Sequence, residues 1–339
     1  MNILVTGGAG YIGSHLSVIL QNAGYNVTII DNLSNSNILK IDKIKHLSNN
    51  KISFTKGDLK DRDLINFIMK NKKIEVVIHL AGFKSVQKSI DNPIEYYENN
   101  FNGTVNLLHS MNKFKIYKFI FSSSATVYGN IDYKTMPIKE NYSTSPINPY
   151  GTIKLKIEEM LNYVCHSNKN FCSISLRYFN PIGAHESKLI GEDPSDITNN
   201  IMPILLKVAA GEIPEFPIYG NDYNTKDGTG VRDYIHVIDL AMGHLAALKF
   251  ILNKYGNYIF NLGTGLGVSV LELIKTFEKI YDIQLKYTVK SNIKGNISNV
   301  VSNNEKLKNL INYKLKKSNI DFIIKEFKKK FKNKNQWKL

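Results

Sequence analysis

Arginine is the scarcest charged residue of this 339-residue chain: only Arg62, Arg177 and Arg232 stand among its 44 basic side chains. Lysine supplies the rest, and against 29 acidic residues the formal net charge is +15. Proteins built to grip phosphate or nucleic acid invest in arginine, whose planar fork binds phosphate bidentately. Abundant Lys together with Asn and Ile reads as compositional bias rather than selection for a polyanion. The location of the charge supports this. Residues 302–339 hold 12 Lys against Glu305, Asp321 and Glu326, a net of +9, which leaves +6 for the other 301 residues.

Cysteine is nearly absent as well. Cys165 and Cys172 stand seven apart without CxxC spacing, which excludes a disulfide framework or zinc site and fits a reducing, cytoplasmic compartment. The eight histidines form no HExxH pattern, so no metal is expected. No apolar run reaches the roughly 20 residues that span a bilayer. Strand-like sequence begins at Asn2, leaving no room for a targeting segment. What is present is ordinary for a soluble globular protein, 43% hydrophobic and 22% charged. The length suggests about two domains at roughly 150 residues each.

Five short β-branched runs (3–6, 26–31, 52–55, 75–79 and 118–122) read as strands. Between them, 12–23, 37–47, 61–70 and 94–113 carry helical spacing of apolar residues. Strands separated by helices imply a doubly wound α/β fold, a Rossmann-type parallel sheet covered on both faces. Residues 181–235 read as long irregular segments with one helical piece near 201–210. Helices at 238–252 and 268–280, strands at 258–261 and 284–288, and two final helices follow, as a smaller C-terminal α/β substrate-binding domain.

The first strand leads into Thr6-Gly7-Gly8-Ala9-Gly10-Tyr11-Ile12-Gly13, with glycines at 7, 10 and 13 and a helix after them. Such a turn lets backbone approach a pyrophosphate at the helix N-terminus. Asp31 ends the second strand, 18 residues past Gly13, where a carboxylate accepts from ribose hydroxyls and repels a 2′-phosphate. No arginine follows in Asn32 to Asn37, so NAD is favoured over NADP. Asp58 reads either as an adenine contact or as a helix N-cap.

Tyr150 and Lys154 form a YxxxK pair, one helical turn apart. A phenol is a weak base at neutral pH, and a nearby ammonium together with the positive nicotinamide draws its pKa downward. The spacing alone is unspecific: a chain this rich in Tyr and Lys gives about two such pairs by chance, and the other is Tyr313 with Lys317. Context separates them. Ser124 closes an apolar strand 26 residues before Tyr150, where its hydroxyl can share the phenol proton. Tyr313 has no such neighbour and is assigned to surface or core, as Cys165 and Cys172 are to core or strand.

TGGAGYIGSH, FSSSATVYG, PYGTIK, RYFNPIGAH, GEDP, NDYNTKDGTGVRDYIHV and NLGTG follow one another over nearly the whole chain. In this order they resemble the extended short-chain dehydrogenases/reductases, in the branch that epimerises nucleotide sugars at C4. The resemblance implies an NAD-binding domain over 1–180 and a UDP-sugar-binding domain over 181–339, with about 236–262 returning to the first. It implies NAD contacts from Gly7, Gly10, Tyr11, Ile12, Gly13, Asp31, Asn32, Leu33, Ser34, Asn35 and Ser36. Further contacts would come from Asp58, Leu59, Leu80, Ala81, Gly82, Phe83, Lys84, Asn99 and Phe179. Ser124, Tyr150 and Lys154 would carry the chemistry while also touching NAD. Lys84, Ser124, Tyr150, Tyr178, Asn180, Asn200, Ile201, Tyr219, Arg232 and Val300 would line the UDP-sugar site.

The implied reaction interconverts UDP-glucose and UDP-galactose in galactose metabolism, through a 4-keto sugar that turns over and is re-reduced on its other face. A homodimer without nucleic-acid or membrane partners is implied as well.

The chain departs from the family where an Arg-Arg-x-Gly-Asp segment is usual. Ser291-Asn292-Ile293-Lys294-Gly295-Asn296 puts Ile293 in place of a phosphate-binding arginine and Asn296 in place of the acidic ribose contact. Weakened UDP-sugar binding is expected. Valine at 300 is small, which predicts tolerance of N-acetylated sugars.

Three other readings remain. A 4,6-dehydratase needs an Asp-Glu pair beside the catalytic hydroxyl, and here Ala125 and Thr126 follow Ser124. The altered 291–296 segment suits an NAD- or sugar-binding homologue impaired in turnover. A tail acting on nucleic acid or membrane competes with simple docking of Ile320, Ile323, Ile324, Phe327 and Phe331 on the body.

Overall fold

The five β-branched runs of the first half become strands of one parallel sheet, β1 (Asn2–Thr6), β2 (Asn26–Asp31), β3 (Ser53–Lys56), β4 (Val76–His79) and β5 (Lys118–Ser124). A strand not named from the sequence, β6 (Cys172–Tyr178), joins them. Later strands are β7 (Asn180–Ile182), β8 (Phe216–Tyr219), β9 (Val231–His236), β10 (Gly256–Leu262), β11 (Gly267–Ser269), β12 (Tyr287–Lys290) and β13 (Asn299–Val300). The computed structural model describes residues 1–131, 135–192, 200–292, 297–311 and 313–331.

The main sheet runs β10-β6-β5-β4-β1-β2-β3, every neighbouring pair parallel. The order reverses between β1 and β4, and such a switch point opens a crevice at the strands' carboxyl ends. Both faces are dry. Ile3, Val5, Ile29, Val76 and Ile78 are buried in one core, while Leu4, Ile30, Val77, Phe119 and Phe121 are buried in the other. Continuous apolar strands are what a two-sided parallel sheet requires.

The helices between begin where polar caps allow. Asn37 accepts from the Lys40 N–H, Asp61 from the Leu64 N–H and Asn148 from the Gly151 N–H. Asp61, not Asp58, therefore caps the helix Arg62–Asn71.

Three expectations are corrected. The stretch 94–113 is not one regular helix: Pro93–Tyr96 and Gly103–Lys113 are α-helical, with a π-helical turn Tyr97–Asn102 between them. Such widened turns collect at functional sites, and this one carries Asn99 and Asn100. The segment 181–235 contains β7, β8 and β9 beside the expected helix, Ile201–Ala209. The strand read at 284–288 lies at Tyr287–Lys290 instead.

β9 is the centre of a small sheet, pairing with β11, β13 and β7. β12 pairs with β8 separately. The helix Val237–Ile251 packs on Tyr11–Asn22, and β10 closes the main sheet beside β6. The last described helix, Ile320–Phe331, buries Ile323 and Ile324 among Leu273, Ile274 and Phe277 and packs Ile320 and Phe327 against them. These four residues of its apolar stripe are docked; the Phe331 side chain lies outside the described residues. No described helix is long and apolar enough to cross a membrane.

Candidate active site

Glycine shapes the floor of the crevice. Gly7 adopts φ +69, and a Cβ on it would stand 2.6 Å from the Ala81 nitrogen. A Cβ on Gly13 would lie 2.1 Å from the Gly7 carbonyl oxygen, so no side chain fits between turn and helix. Gly10 starts the helix Tyr11–Asn22 without a side-chain cap, and no acidic residue stands in its first turn. The helix thus presents uncapped N–H groups and its positive dipole end to the crevice, a fit for a pyrophosphate.

Asp31 closes β2 beside this turn. Its Oδ2 accepts from the Ala9 N–H (3.0 Å) and its Oδ1 from the Leu33 N–H (2.8 Å). Burial pushes its carboxyl above the usual range, and these two N–H groups pull it back. Across the crevice, Asp58 accepts from Asn32 Nδ2 at 2.9 Å and from the Lys60 N–H.

The chemistry-bearing trio stands at the carboxyl end of β5. Ser124 is its last residue, and its Oγ accepts from Thr126 N–H (3.2 Å) and Thr126 Oγ1 (3.0 Å). Asn148 and Pro149 start the helix Pro149–Ser167, which places Tyr150 and Lys154 one turn apart facing that strand end. Lys154 Nζ donates to the Ser122 carbonyl oxygen at 2.6 Å and lies 4.7 Å from the Phe121 ring centroid. Burial lowers its ammonium to about 7, opposed by the Glu158 carboxylate.

The Tyr150 phenol is held up in the chain alone. Burial raises it to about 12, and the hydrogen bond with the Ser124 side chain is what pulls it down. Lys154 Nζ lies over the Tyr150 ring, 5.7 Å from its centroid. The ammonium therefore does not bring the phenol into the working range by itself.

One cleft, about 300 Å³ in volume, joins these parts. It is lined by Gly7, Gly10, Tyr11, Ile12, Gly13, Asp31, Asn32, Ser34, Asn35, Ser36, Asp58, Leu59, Leu80, Ala81, Gly82, Phe83, Lys84 and Asn99. Ser124, Tyr150, Lys154, Tyr178, Phe179 and Asn200, also pointed to by the sequence, line it as well.

Leu33 is not among the lining residues. It takes a left-handed φ of 62 in the turn after β2, and its side chain packs on the core.

A family model described as GDP-mannose 4,6 dehydratase matches residues 4–327. The UDP-glucose 4-epimerase of Bacillus subtilis is 45% identical over 317 residues, 94% of this chain and 93% of that protein. Solved UDP-glucose 4-epimerases agree in fold. That of Stenotrophomonas maltophila, with bound NAD and formylated UDP-arabinopyranose, is 40% identical and superposes with a TM-score of 0.93 over 97% of each chain. The Bifidobacterium longum enzyme, in complex with NAD+ and UDP, is 42% identical with a TM-score of 0.92, covering 98% of this chain and all of the other. The chain belongs to the UDP-glucose 4-epimerase family.

The dehydratase in the family model's description has no counterpart in the site of this epimerase-family chain. Ala125 and Thr126 follow Ser124, and Thr126 Oγ1 is spent on the Ser124 hydroxyl. Among the described residues, the carboxylates lining the cleft are Asp31 and Asp58, beside the glycine turn.

Beyond the trio, Lys84 Nζ stands 3.6 Å from Glu192 Oε1, which also accepts from Asn200 Nδ2. Asn180, Ile201, Tyr219, Arg232 and Val300 do not line the cleft as it stands. Asn180 pairs with Tyr234 in the β7–β9 register, and Val300 with Arg232 in β13–β9, so three of the five share one small sheet. Arg232 Nη1 donates to the Val231 carbonyl (2.8 Å), and burial lowers its guanidinium. Tyr219 is exposed at the end of β8, and Val300 is buried with Ala125, Val127 and Phe179. Residues 293–296, where the family arginine and aspartate are replaced, lie outside the described residues.

Some side chains of the site gave little warning. Asn100 Oδ1 accepts from the Phe83 N–H (2.7 Å) while its Nδ2 donates to the Phe83 carbonyl (3.0 Å), clamping the loop after β4. The Asn99-Asn100 pair beside the helical stretch was the available signal. Glu192 was present only as part of the GEDP block. Tyr178 lines the cleft, yet its hydroxyl is 2.5 Å from His244 Nε2 in the interior. Tyr11 likewise donates to the Gly183 carbonyl (2.6 Å), and Tyr313 is buried, donating to the Asp239 carbonyl.

Proposed function

We propose that this chain interconverts UDP-glucose and UDP-galactose, using NAD that stays bound through the cycle. The observation that carries the reading is the convergence of Ser124, Tyr150 and Lys154 on the cleft whose floor is the glycine turn. Residues 1–180 with about 236–262 form the NAD-binding part, and the remainder of 181–339 the UDP-sugar-binding part.

The glycine turn and the first helix's N–H groups would hold the pyrophosphate, with Asp31 accepting from the adenosine ribose and excluding a 2′-phosphate. When bound, NAD supplies the group that takes the sugar C4 hydrogen and returns it, together with a positive ring. The fit of the chain's own residues follows from charge. Tyr150 lies at about 12 in a buried setting, so a further positive charge beside it stabilises its phenolate. Tyr150 then accepts the proton of the sugar 4′-hydroxyl, with Ser124 sharing it, and Lys154 stabilises the charge that develops. The proton returns to the 4-keto oxygen from Tyr150 once the sugar has presented its other face.

Asn180, Asn200, Ile201, Tyr178, Tyr219 and Arg232 would hold the uridine diphosphate, leaving the hexose free to turn. Val300 is small, which supports turnover of the N-acetylated sugar pair as well. Two buried free cysteines suit a cytoplasmic location. Ile94, Tyr97 and Tyr163 are large apolar side chains exposed on the outer helices, which a homodimer would cover.

The test is conversion of UDP-galactose by purified protein without added NAD, beside Tyr150→Phe. Activity in the first and its loss in the second is the expected result.

A further inference from the structure

A buried ion pair stands behind the serine–tyrosine–lysine cluster and takes no part in the chemistry above. Glu158 lies one helical turn beyond Lys154, and Arg177 is the penultimate residue of β6. Each is 3% exposed. The pairing is fork to fork: Arg177 Nη2 donates to Glu158 Oε2 at 2.6 Å and Nε to Oε1 at 3.0 Å. Glu158 Oε1 accepts a third bond, from Ser123 Oγ at 2.5 Å, and Ser123 immediately precedes Ser124. The guanidinium also lies 4.7 Å from the Tyr128 ring centroid and donates to the Glu140 carbonyl.

Stability alone is a poor reason for such a pair. Desolvating two charges costs about as much as their attraction returns, and well-packed apolar replacements are often neutral or stabilising. Its position supplies a better one. Lys154 is buried: its Nζ lies over the Tyr150 ring and beside Phe121 and Ser122 of β5. The Glu158 carboxylate one turn along the same helix favours its charged form, and its charge acts in turn on His79 of β4, with Tyr178 of β6 near Tyr150. Burial holds the two phenols up and the His79 imidazole down, so all three are neutral until a bound cofactor's positive charge stabilises the Tyr150 phenolate. Glu158 is the anion of the set.

We propose that Glu158, held by Arg177, is a positioning residue for the reaction: its carboxylate keeps Lys154 protonated and, through Ser123, fixes the strand end that carries Ser124. This rests on the epimerase reading, in which Lys154 acts as an ammonium. A carboxylate favours the charged form of a nearby amine, so removing it lets the ammonium deprotonate at lower pH.

The experiment is kcat against pH for wild type, Glu158→Gln, Arg177→Lys and the double variant Glu158→Leu/Arg177→Met. KM for UDP-galactose and melting temperature are measured on each. Glu158→Gln should move the basic limb of kcat down by about one pH unit, a loss of about tenfold above it, with KM nearly unchanged. The double variant should move it in the same direction by less, because the Arg177 charge goes with the carboxylate. Arg177→Lys keeps the carboxylate and should lower the melting temperature while leaving the limb in place. The double variant removes both charges together and so keeps the test alive if Glu158→Gln does not fold. A limb that stays put while wild type turns over overturns the inference alone. Absence of wild-type turnover overturns the epimerase reading, and this inference with it.

Discussion

Gly151 packs against the turn that follows Ser124: a Cβ on it would stand 2.8 Å from the Thr126 carbonyl oxygen. That contact sets how closely the helix bearing Tyr150 and Lys154 approaches the strand bearing Ser124. Gly151→Ala should therefore push the two apart, although alanine is the better helix former. Overpacking of this kind costs about 1–3 kcal/mol. A lower melting temperature and a fall in kcat larger than the change in KM are expected. Unchanged kcat would show that the spacing is not set here.

The proposed reading puts cofactor choice on Asp31. Replacing it with serine removes the carboxylate that would accept from ribose hydroxyls and repel a 2′-phosphate. The variant should retain less NAD through purification, and added NADP should restore some of its activity. Retention of a full complement of NAD by Asp31→Ser would contradict the assignment.

The glycine turn, Asp31 and the Ser124–Tyr150–Lys154 set were legible because each depends on local spacing or on a strand end that the β-branched runs betray. The five first-half strands were visible for the same reason. β7 and β9 were not, because their pairing partners lie tens of residues away and their sequences hold Pro, Arg and Asp rather than an apolar run. The π-turn at 97–102 leaves no mark on apolar periodicity. Arg177 and Glu158 come from a strand and a helix 19 residues apart, and only packing joins them. Tyr178 shows the converse limit: its place at the cleft was readable, but the bond of its hydroxyl to His244 was not.

Buried neutral histidines give the fold an acid limit. His79 accepts from Thr6 Oγ1 at Nδ1 (2.7 Å) and donates from Nε2 to Thr104 Oγ1 (2.9 Å), since Thr104 itself donates to the Asn100 carbonyl. Burial lowers His79 and His15 to about 3 and His244 to about 4. The unfolded chain binds these protons near 6.5, the folded chain does not, so stability is present above that value and falls as pH drops below it. Each contributes a loss of about 2 kcal/mol at pH 5. Melting temperature should fall steeply between pH 6.5 and 5, and less so in His79→Gln. A flat profile would contradict the neutral assignment.

Arginine scarcity extends into the segment that the resemblance assigns to the UDP-sugar site. There Ile293 stands where the resemblance implies a phosphate-binding arginine, and a charge-assisted contact is worth about 1.5–3 kcal/mol. Ile293→Arg should tighten UDP binding by roughly ten- to a hundredfold in a calorimetric titration. Equal affinity in both proteins would mean that another cation already serves the diphosphate.

The most direct test of the account is turnover of UDP-galactose to UDP-glucose by the purified chain with no NAD added, in parallel with Tyr150→Phe. Turnover by the wild type from its retained cofactor is predicted, with a loss of about a hundredfold or more in the variant. A wild-type protein that holds NAD but converts no sugar, or a Tyr150→Phe protein as active as wild type, would contradict it.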